Sequence, residues 1–402
     1  MNNKRILYLT LFLFFSILVI LFLNNLIIYI PKIFLLVFFV GLSFVFKQQK
    51  KFIKDWVFFL SIIYFSDTLR GLIYFLICKF QFPVYCIYVL NLEKTLFGTV
   101  PSVILQKLLL FTREIGWPEK FLTALHGTHF VAFLIVGFYF WIKNDHLFQH
   151  FKYSFYILLI FGLSGYLLIP TAPPWMASEL FRVIPRLFHF NLHIYNMYIP
   201  DLTSGFNTDP VAAMPSLHAA FPFLCSILIW KHIKGKGRIF YVYTFLILFT
   251  IVYTGDHYMV DLLAGIVLAI VSFILSSSIQ NKQKKQPFFH SYLRIHVHPR
   301  IPIIVGFFII VLSISIGNLI KKPLQKYYQN FATINFIDFT SNPEKVENNF
   351  AICLYLGDHY LSQKKYNQAY SLYKKALQLA QTISDKKLIQ KKIKFFQLNQ
   401  RQ

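Results

Sequence analysis

The chain alternates long apolar runs with short polar breaks, and the breaks are basic far more often than acidic. Apolar runs occupy residues 6–30, 33–46, 56–80, 128–142, 153–170, 216–230, 239–254, 258–279 and 301–320. A membrane-spanning helix needs roughly 20 predominantly apolar residues. Several runs fall short of that length, but together they predict about nine spans. In lipid every backbone polar group must be satisfied within the segment, so such runs are read as helices. Lys4-Arg5 before the first run resembles the start of a signal peptide. That run is too long and lacks a small-residue cleavage site, which makes it a retained helix.

The expected fold is therefore an all-α polytopic membrane protein. Composition agrees: 56% of the 402 residues are hydrophobic, 19% are aromatic and only 14% are charged. The net charge of +24 would suit nucleic acid, but no nucleic-acid module is present and the basic residues sit between apolar runs. There they meet anionic headgroups and set orientation. Lys4-Arg5, Lys47 to Lys54, Lys143 to Lys152, Lys231 to Arg238 and Lys282 to Arg300 all fall on one side under this count, which becomes the cytoplasmic side. Residues 81–127 and 171–214 fall on the other side. The four cysteines, Cys78, Cys86, Cys225 and Cys353, show neither metal spacing nor a disulfide framework.

Two segments carry the chemistry. In Met214-Pro215-Ser216-Leu217-His218, Pro215 suits a first helical position, which puts Ser216 and His218 in a first turn whose free N–H groups attract anions. In Gly255 to Asp261, His257 and Asp261 are four residues apart and share a helix face. The carboxylate can fix one ring nitrogen and leave the other nucleophilic. Asp256 points elsewhere. Ionisable groups facing a membrane interior are costly and mark function. Two histidines suit phosphoryl transfer: His257 attacks phosphorus, and His218 protonates the leaving oxygen and later activates the acceptor. The charge on the transferring group calls for a cation, and Arg70, with Asp67 three residues before it, is the candidate. The two can also simply neutralise one another inside the bundle. His126 and His129 sit at a span entry on the active side, where they either line the pocket or lie at the interface; His129 is retained as a substrate-binding candidate with Ser216 and Arg70. A zinc site built from two histidines and an aspartate has no further ligand spacing to support it. Pro173-Pro174-Trp175 shapes and anchors a loop, and His290, His296 and His298 belong to a basic solvated loop.

P-S-x-H followed by H-x3-D resembles the type 2 phosphatidic acid phosphatase superfamily. Pro170 to Met176, Pro215 to Ala219, Gly255 to Asp261, Glu93 to Gln106 and His126 to Phe130 look like its inositolphosphotransferase branch, which includes inositol phosphorylceramide synthases. The resemblance covers roughly residues 56–279. It implies a six-helix core, chemistry without metal or cofactor, membrane lipid substrates, and catalytic roles for His218, His257 and Asp261. The superfamily's first motif, a Lys and an Arg-Pro, is not recognisable, Leu217 replaces a glycine, and Ile251 stands where an arginine is usual.

The expected layout is an N-terminal transmembrane hairpin over 1–55, a catalytic membrane domain over 56–279, a basic loop and last span over 280–320, and a soluble tail over 321–402. The tail carries fourteen basic and five acidic residues and is placed outside. Leu356-Gly357, Tyr360, Ala369, Tyr373 and Ala376 match tetratricopeptide spacing near 350–383. A single repeat cannot bury its own face, so it packs on a capping helix, on the membrane domain or on a protein partner. The expected function is headgroup-phosphate transfer to a lipid alcohol. The alternatives are a lipid phosphate or polyprenyl pyrophosphate phosphatase and a non-catalytic membrane scaffold. Deleting 321–402 separates enzyme from scaffold: surviving activity makes the tail an accessory.

Overall fold

Each described apolar run becomes one helix, and charged side chains gather at the helix ends. The structure is a computed structural model that describes residues 41–110, 116–185, 187, 209–233, 238–285, 301–329, 331–341 and 348–399. The first apolar run, most of the second, and His290, His296 and His298 lie outside the described residues. The principal helices are α1 (Gln49–Phe80), α2 (Ile87–Phe97), α3 (Pro101–Leu109), α4 (Trp117–Gly127), α5 (His129–Lys143), α6 (Asp145–Leu168), α7 (Pro174–Glu179), α8 (Leu217–His232), α9 (Arg238–Tyr253), α10 (Met259–Lys285) and α11 (Ile301–Gln329). The tail adds α12 (Ile337–Thr340), α13 (Phe350–Ser362), α14 (Tyr366–Leu379) and α15 (Ile383–Asn399).

Of the nine apolar runs, one lies wholly and one mostly outside the described residues. Among the described residues, four helices are long and apolar enough to cross a membrane, or five if the bent pair α4–α5, angled by 46°, counts as one span. The helices α5, α8 and α9 have 15, 16 and 16 residues. At 1.5 Å per residue they reach about 24 Å, less than the ~30 Å hydrocarbon core. At the end that carries the candidate site, α3 and α4 pack against α9.

The helices alternate in direction, which gives the bundle a basic end and a site end. At the basic end Lys51 meets Asp145 at 2.5 Å, Lys231 reaches Ser277 at 3.2 Å, and Gln280 donates to the His146 carbonyl at 2.9 Å. Asn144 caps α6 by accepting from the His146 N–H at 2.7 Å, and Asp145 favours the same helix start. Above this end the helices interlock through rings: Phe133 with Phe155 at 5.1 Å, Trp56 with Phe148 at 5.0 Å, and Phe155 with Phe221 at 5.2 Å. Lipid supplies no hydrophobic drive between helices, so such close packing is what holds them together. The outward faces carry Phe245, Phe307, Phe308 and Leu319, all more than half exposed, as a lipid-facing surface requires.

At the site end the chain forms a small parallel ladder instead of free loops. Strand β1 (Pro83–Val84) pairs with β2 (Asn335–Phe336) from the tail, and single bridges join Tyr85 to Thr171 and Thr171 to Ala212. The tail is thereby attached to the membrane domain. Phe181 is enclosed by Phe336, Phe339 and Tyr355 at 4.6 to 5.5 Å. Tyr355 donates to the Ile334 carbonyl at 2.6 Å and accepts from the Phe336 N–H at 3.2 Å. Within the tail, α13 and α14 form a hairpin capped by α15, with Ala369, Tyr373, Ala376 and Ile389 buried. Gly357 is needed there, because a side-chain carbon at that position would lie 2.6 Å from the Tyr373 ring.

Candidate active site

Two helix starts meet at the site end because one of them carries no side chain at the crossing. A Cβ on Gly265 of α10 would lie 2.3 Å from the Ser216 carbonyl oxygen at the start of α8. That approach lets the Ser216 N–H donate to the Asp261 carbonyl at 3.0 Å, which ties the two helices together where the histidines emerge.

Ser216 is the N-cap of α8, its hydroxyl accepting from the Ala219 N–H at 3.2 Å. Pro215 therefore precedes the cap and does not occupy the first helical position. His218 lies in the first turn, as its spacing predicts. The second segment also starts later than expected: α10 begins at Met259, so His257 stands in the turn before the helix. Its geometry with Asp261 survives, because one carboxylate oxygen serves both neighbours. Asp261 Oδ2 accepts from the Tyr258 N–H at 2.8 Å and lies 3.5 Å from His257 Nδ1. An acid at the third helical position reaching back to the cap residue's N–H is half of a capping box.

Behind that pair, His257 Nε2 faces His218 Nδ1 at 2.8 Å. His126 and His129 complete a cluster of four imidazoles. Their ring centroids lie 4.9 and 4.4 Å from that of His218, both edge-on. His129 Nδ1 bonds the His126 carbonyl. Asp256 does point away from His257, as expected: it accepts from Thr254 Oγ1 at 2.5 Å and faces His126 Nδ1 at 3.5 Å. Each of His126, His129 and His218 can offer one ligand atom to a metal ion, and those atoms lie within 4.8 Å of one another. This trio differs from the two-histidine, one-aspartate set that the spacing first suggested for zinc.

Arg70, on α1, is brought to the same end. Its guanidinium lies 3.7 Å from Asp67 and 5.9 Å from the centre of the Tyr166 ring, and its charge reaches His129 and His218. It also faces Asp209, a loop residue that sequence reading missed. Burial pushes the Asp209 carboxyl up to about 7 against the opposing pull of Arg70. Arg70 thus sits among two acids and the imidazole cluster.

A second omission is Glu93. The sequence marks it only as part of a stretch resembling the family; the fold buries it completely, with both carboxylate oxygens on the start of α10. They accept from the Met259 N–H at 3.0 Å and the Val260 N–H at 3.1 Å. Burial pushes its carboxyl up to about 7, so the charged clamp with two acceptor oxygens is complete only above that pH. No local pattern reveals this contact, because the partners are 166 and 167 positions apart.

Similarity to known proteins falls on the same segment. Residues 88–275 match the family model described as PAP2 superfamily. The phosphoinositol dihydroceramide synthase of Bacteroides thetaiotaomicron is 28% identical over 202 residues, covering 46% of this chain and 64% of the relative. The inositol phosphorylceramide synthase catalytic subunit aur1 of Schizosaccharomyces pombe is 27% identical over 147 residues, covering 32% of this chain and 33% of the relative. The chain thus spans less than two thirds of the length of these curated relatives. No solved structure matches it. The matched segment includes His126, His129, His218, His257 and Asp261 and leaves out Arg70 and the tail. Residues 88–275 of this multi-pass membrane protein are a PAP2 superfamily domain, homologous to inositol phosphorylceramide synthases.

Proposed function

We propose that this protein is a membrane phosphotransferase that moves a headgroup phosphate from one lipid to a lipid alcohol through a phosphohistidine at His257. The observation that carries this reading is the 2.8 Å contact of His257 Nε2 with His218 Nδ1, with Asp261 behind the first ring. A phosphoryl group entering between the rings replaces that contact. His257 Nε2 forms the P–N bond while the P–O bond to the donor's lipid alcohol breaks. His218 gives its proton to the departing oxygen. The acceptor hydroxyl then returns a proton to His218 and attacks phosphorus, and the P–N bond breaks. Asp261 holds the His257 ring and stabilises its charged form.

The phosphoryl oxygens need fixed donors and a cation. His129 and Arg70 are proposed for that task. The Ser216 hydroxyl, which accepts from the helix, still has its own O–H to give. The names of the relatives support a phosphoinositol group as cargo and a ceramide-like alcohol as acceptor. The basic end of the bundle is proposed to face the cytoplasm, which puts the site and the tail on the opposite side. The helical hairpin of the tail is proposed to be a tetratricopeptide-like unit with a face for a protein partner.

The test is to incubate the purified protein with phospholipids labelled in the headgroup phosphate, with and without a ceramide acceptor. A labelled lipid product that requires the acceptor is expected from the phosphoinositol-bearing donor. Release of the labelled headgroup phosphate to water at the same rate with or without acceptor would replace transfer by hydrolysis.

A further inference from the structure

The tail reaches the reacting histidine through two carboxylates, each holding the start of a helix. The first is Asp338 on α12. Helix α2 has no acid in its first turn and no side-chain cap of its own. Asp338 supplies that cap from the tail: its Oδ2 accepts from the Cys86 N–H at 2.5 Å and the Ile87 N–H at 2.8 Å. The second carboxylate is Glu93, on that same helix. It clamps the Met259 and Val260 N–H groups at the start of α10, two residues beyond His257 and two before Asp261. Cys86 and Glu93 are fully buried and Asp338 is half-buried, so water competes poorly for these bonds.

We propose that the tail is a working part of the active site, with Asp338 and Glu93 as positioning residues that fix the His257–Asp261 turn through α2. This rests on the reading of His257 as the nucleophile. The physical sense is direct. A helix start leaves N–H groups without intrahelical partners, and its position is only as firm as whatever caps it. A carboxylate there adds a charge-assisted bond and a favourable interaction with the helix dipole. Here α10 is capped from α2, and α2 is capped from the tail, so displacing the tail loosens the turn that bears the nucleophile. Whatever binds or releases the tail then alters turnover without touching substrate.

The experiment uses the full chain in lipid nanodiscs and compares Asp338→Asn, Glu93→Gln and Glu93→Asp with Asp385→Asn. Asp385 pairs with Arg182 at 4.0 Å across the tail contact but lies off the relay, so it serves as the control. Hydrogen exchange at Met259 and Val260 is read beside kcat and KM. Glu93→Gln is expected to speed that exchange about tenfold, and Asp338→Asn to speed it severalfold although it touches neither residue. In both, kcat falls and KM stays within about twofold; Glu93→Asp restores part of the loss. Asp385→Asn changes neither readout. Exchange at Met259 and Val260 that is unchanged in Asp338→Asn overturns the relay. If the exchange pattern appears while no variant, nor the parent chain, transfers phosphate, the relay stands and the catalytic reading falls.

Discussion

Replacing His257 with alanine is expected to lower turnover by roughly 10,000-fold while the protein stays folded. The loss is large because the ring carries the bond-forming nitrogen, and no other group described at the site occupies its position between His218 and Asp261. The structural cost is modest. The side chain makes one bond, to His218 Nδ1 at 2.8 Å, and lies 3.5 Å from Asp261. Asp261 Oδ2 still accepts from the Tyr258 N–H after the change, so the start of α10 keeps its cap. A bond of this kind is worth about 1 kcal/mol, well within what a folded bundle tolerates. Initial rates of labelled lipid formation measure the effect, and monodisperse elution with an unchanged melting temperature shows that the fold is intact. Asp261→Asn is a weaker test of the same point, because it disturbs both the ring and the helix start.

Removing residues 331–402 is the second large effect. Sequence reading leaves open whether the tail packs on a capping helix, on the membrane domain or on a protein partner. The fold argues for the membrane domain. Ile334, Phe336, Phe339, Ile352, Tyr355 and Leu356 share one buried cluster with Val84, Cys86, Val89 and Phe181 of the membrane domain. Phe181 alone loses three ring neighbours when the tail is removed. Emptying the surroundings of one buried aromatic costs about 3–5 kcal/mol. For a bundle of this size that lowers the melting temperature by about 10 °C or more. The truncated protein also loses the Asp338 cap on α2, and turnover is expected to fall more than tenfold in the fraction that stays folded. A truncated protein with the parent's melting temperature and turnover would restore the view of the tail as an accessory.

What the chain discloses by itself follows the range of the interactions. The helices are legible because lipid enforces a backbone rule over every run of apolar residues. The pair His257 and Asp261 is legible because its members are four residues apart. Boundaries read less well: Pro215 before a serine looks like a first helical residue, but the hydroxyl of Ser216 takes the capping place and shifts the start by two. Glu93 and Asp338 are not legible, since each acts on backbone groups more than 150 residues away and neither has a sequence pattern of its own. A signal for the docked tail does exist in Phe331, Ile334, Phe336 and Phe339, whose apolar side chains are too closely spaced for a solvated linker. Arg70 is legible as a cation within an otherwise apolar helix. Its neighbour Asp209 is not, because it comes from a loop 139 positions further along the chain.

The central claim is a covalent bond between phosphorus and His257, and capturing that bond tests it most directly. The full chain is mixed with a phospholipid labelled in its headgroup phosphate, without acceptor, quenched under alkaline conditions within one turnover, digested and sequenced by mass spectrometry. The account predicts one labelled peptide, containing residues 255–261, with the headgroup phosphate on His257, stable to base and lost in acid, and discharged when the acceptor alcohol is added before the quench. A chain that turns over the same lipid yet carries no label, or carries it on His218, would contradict the account.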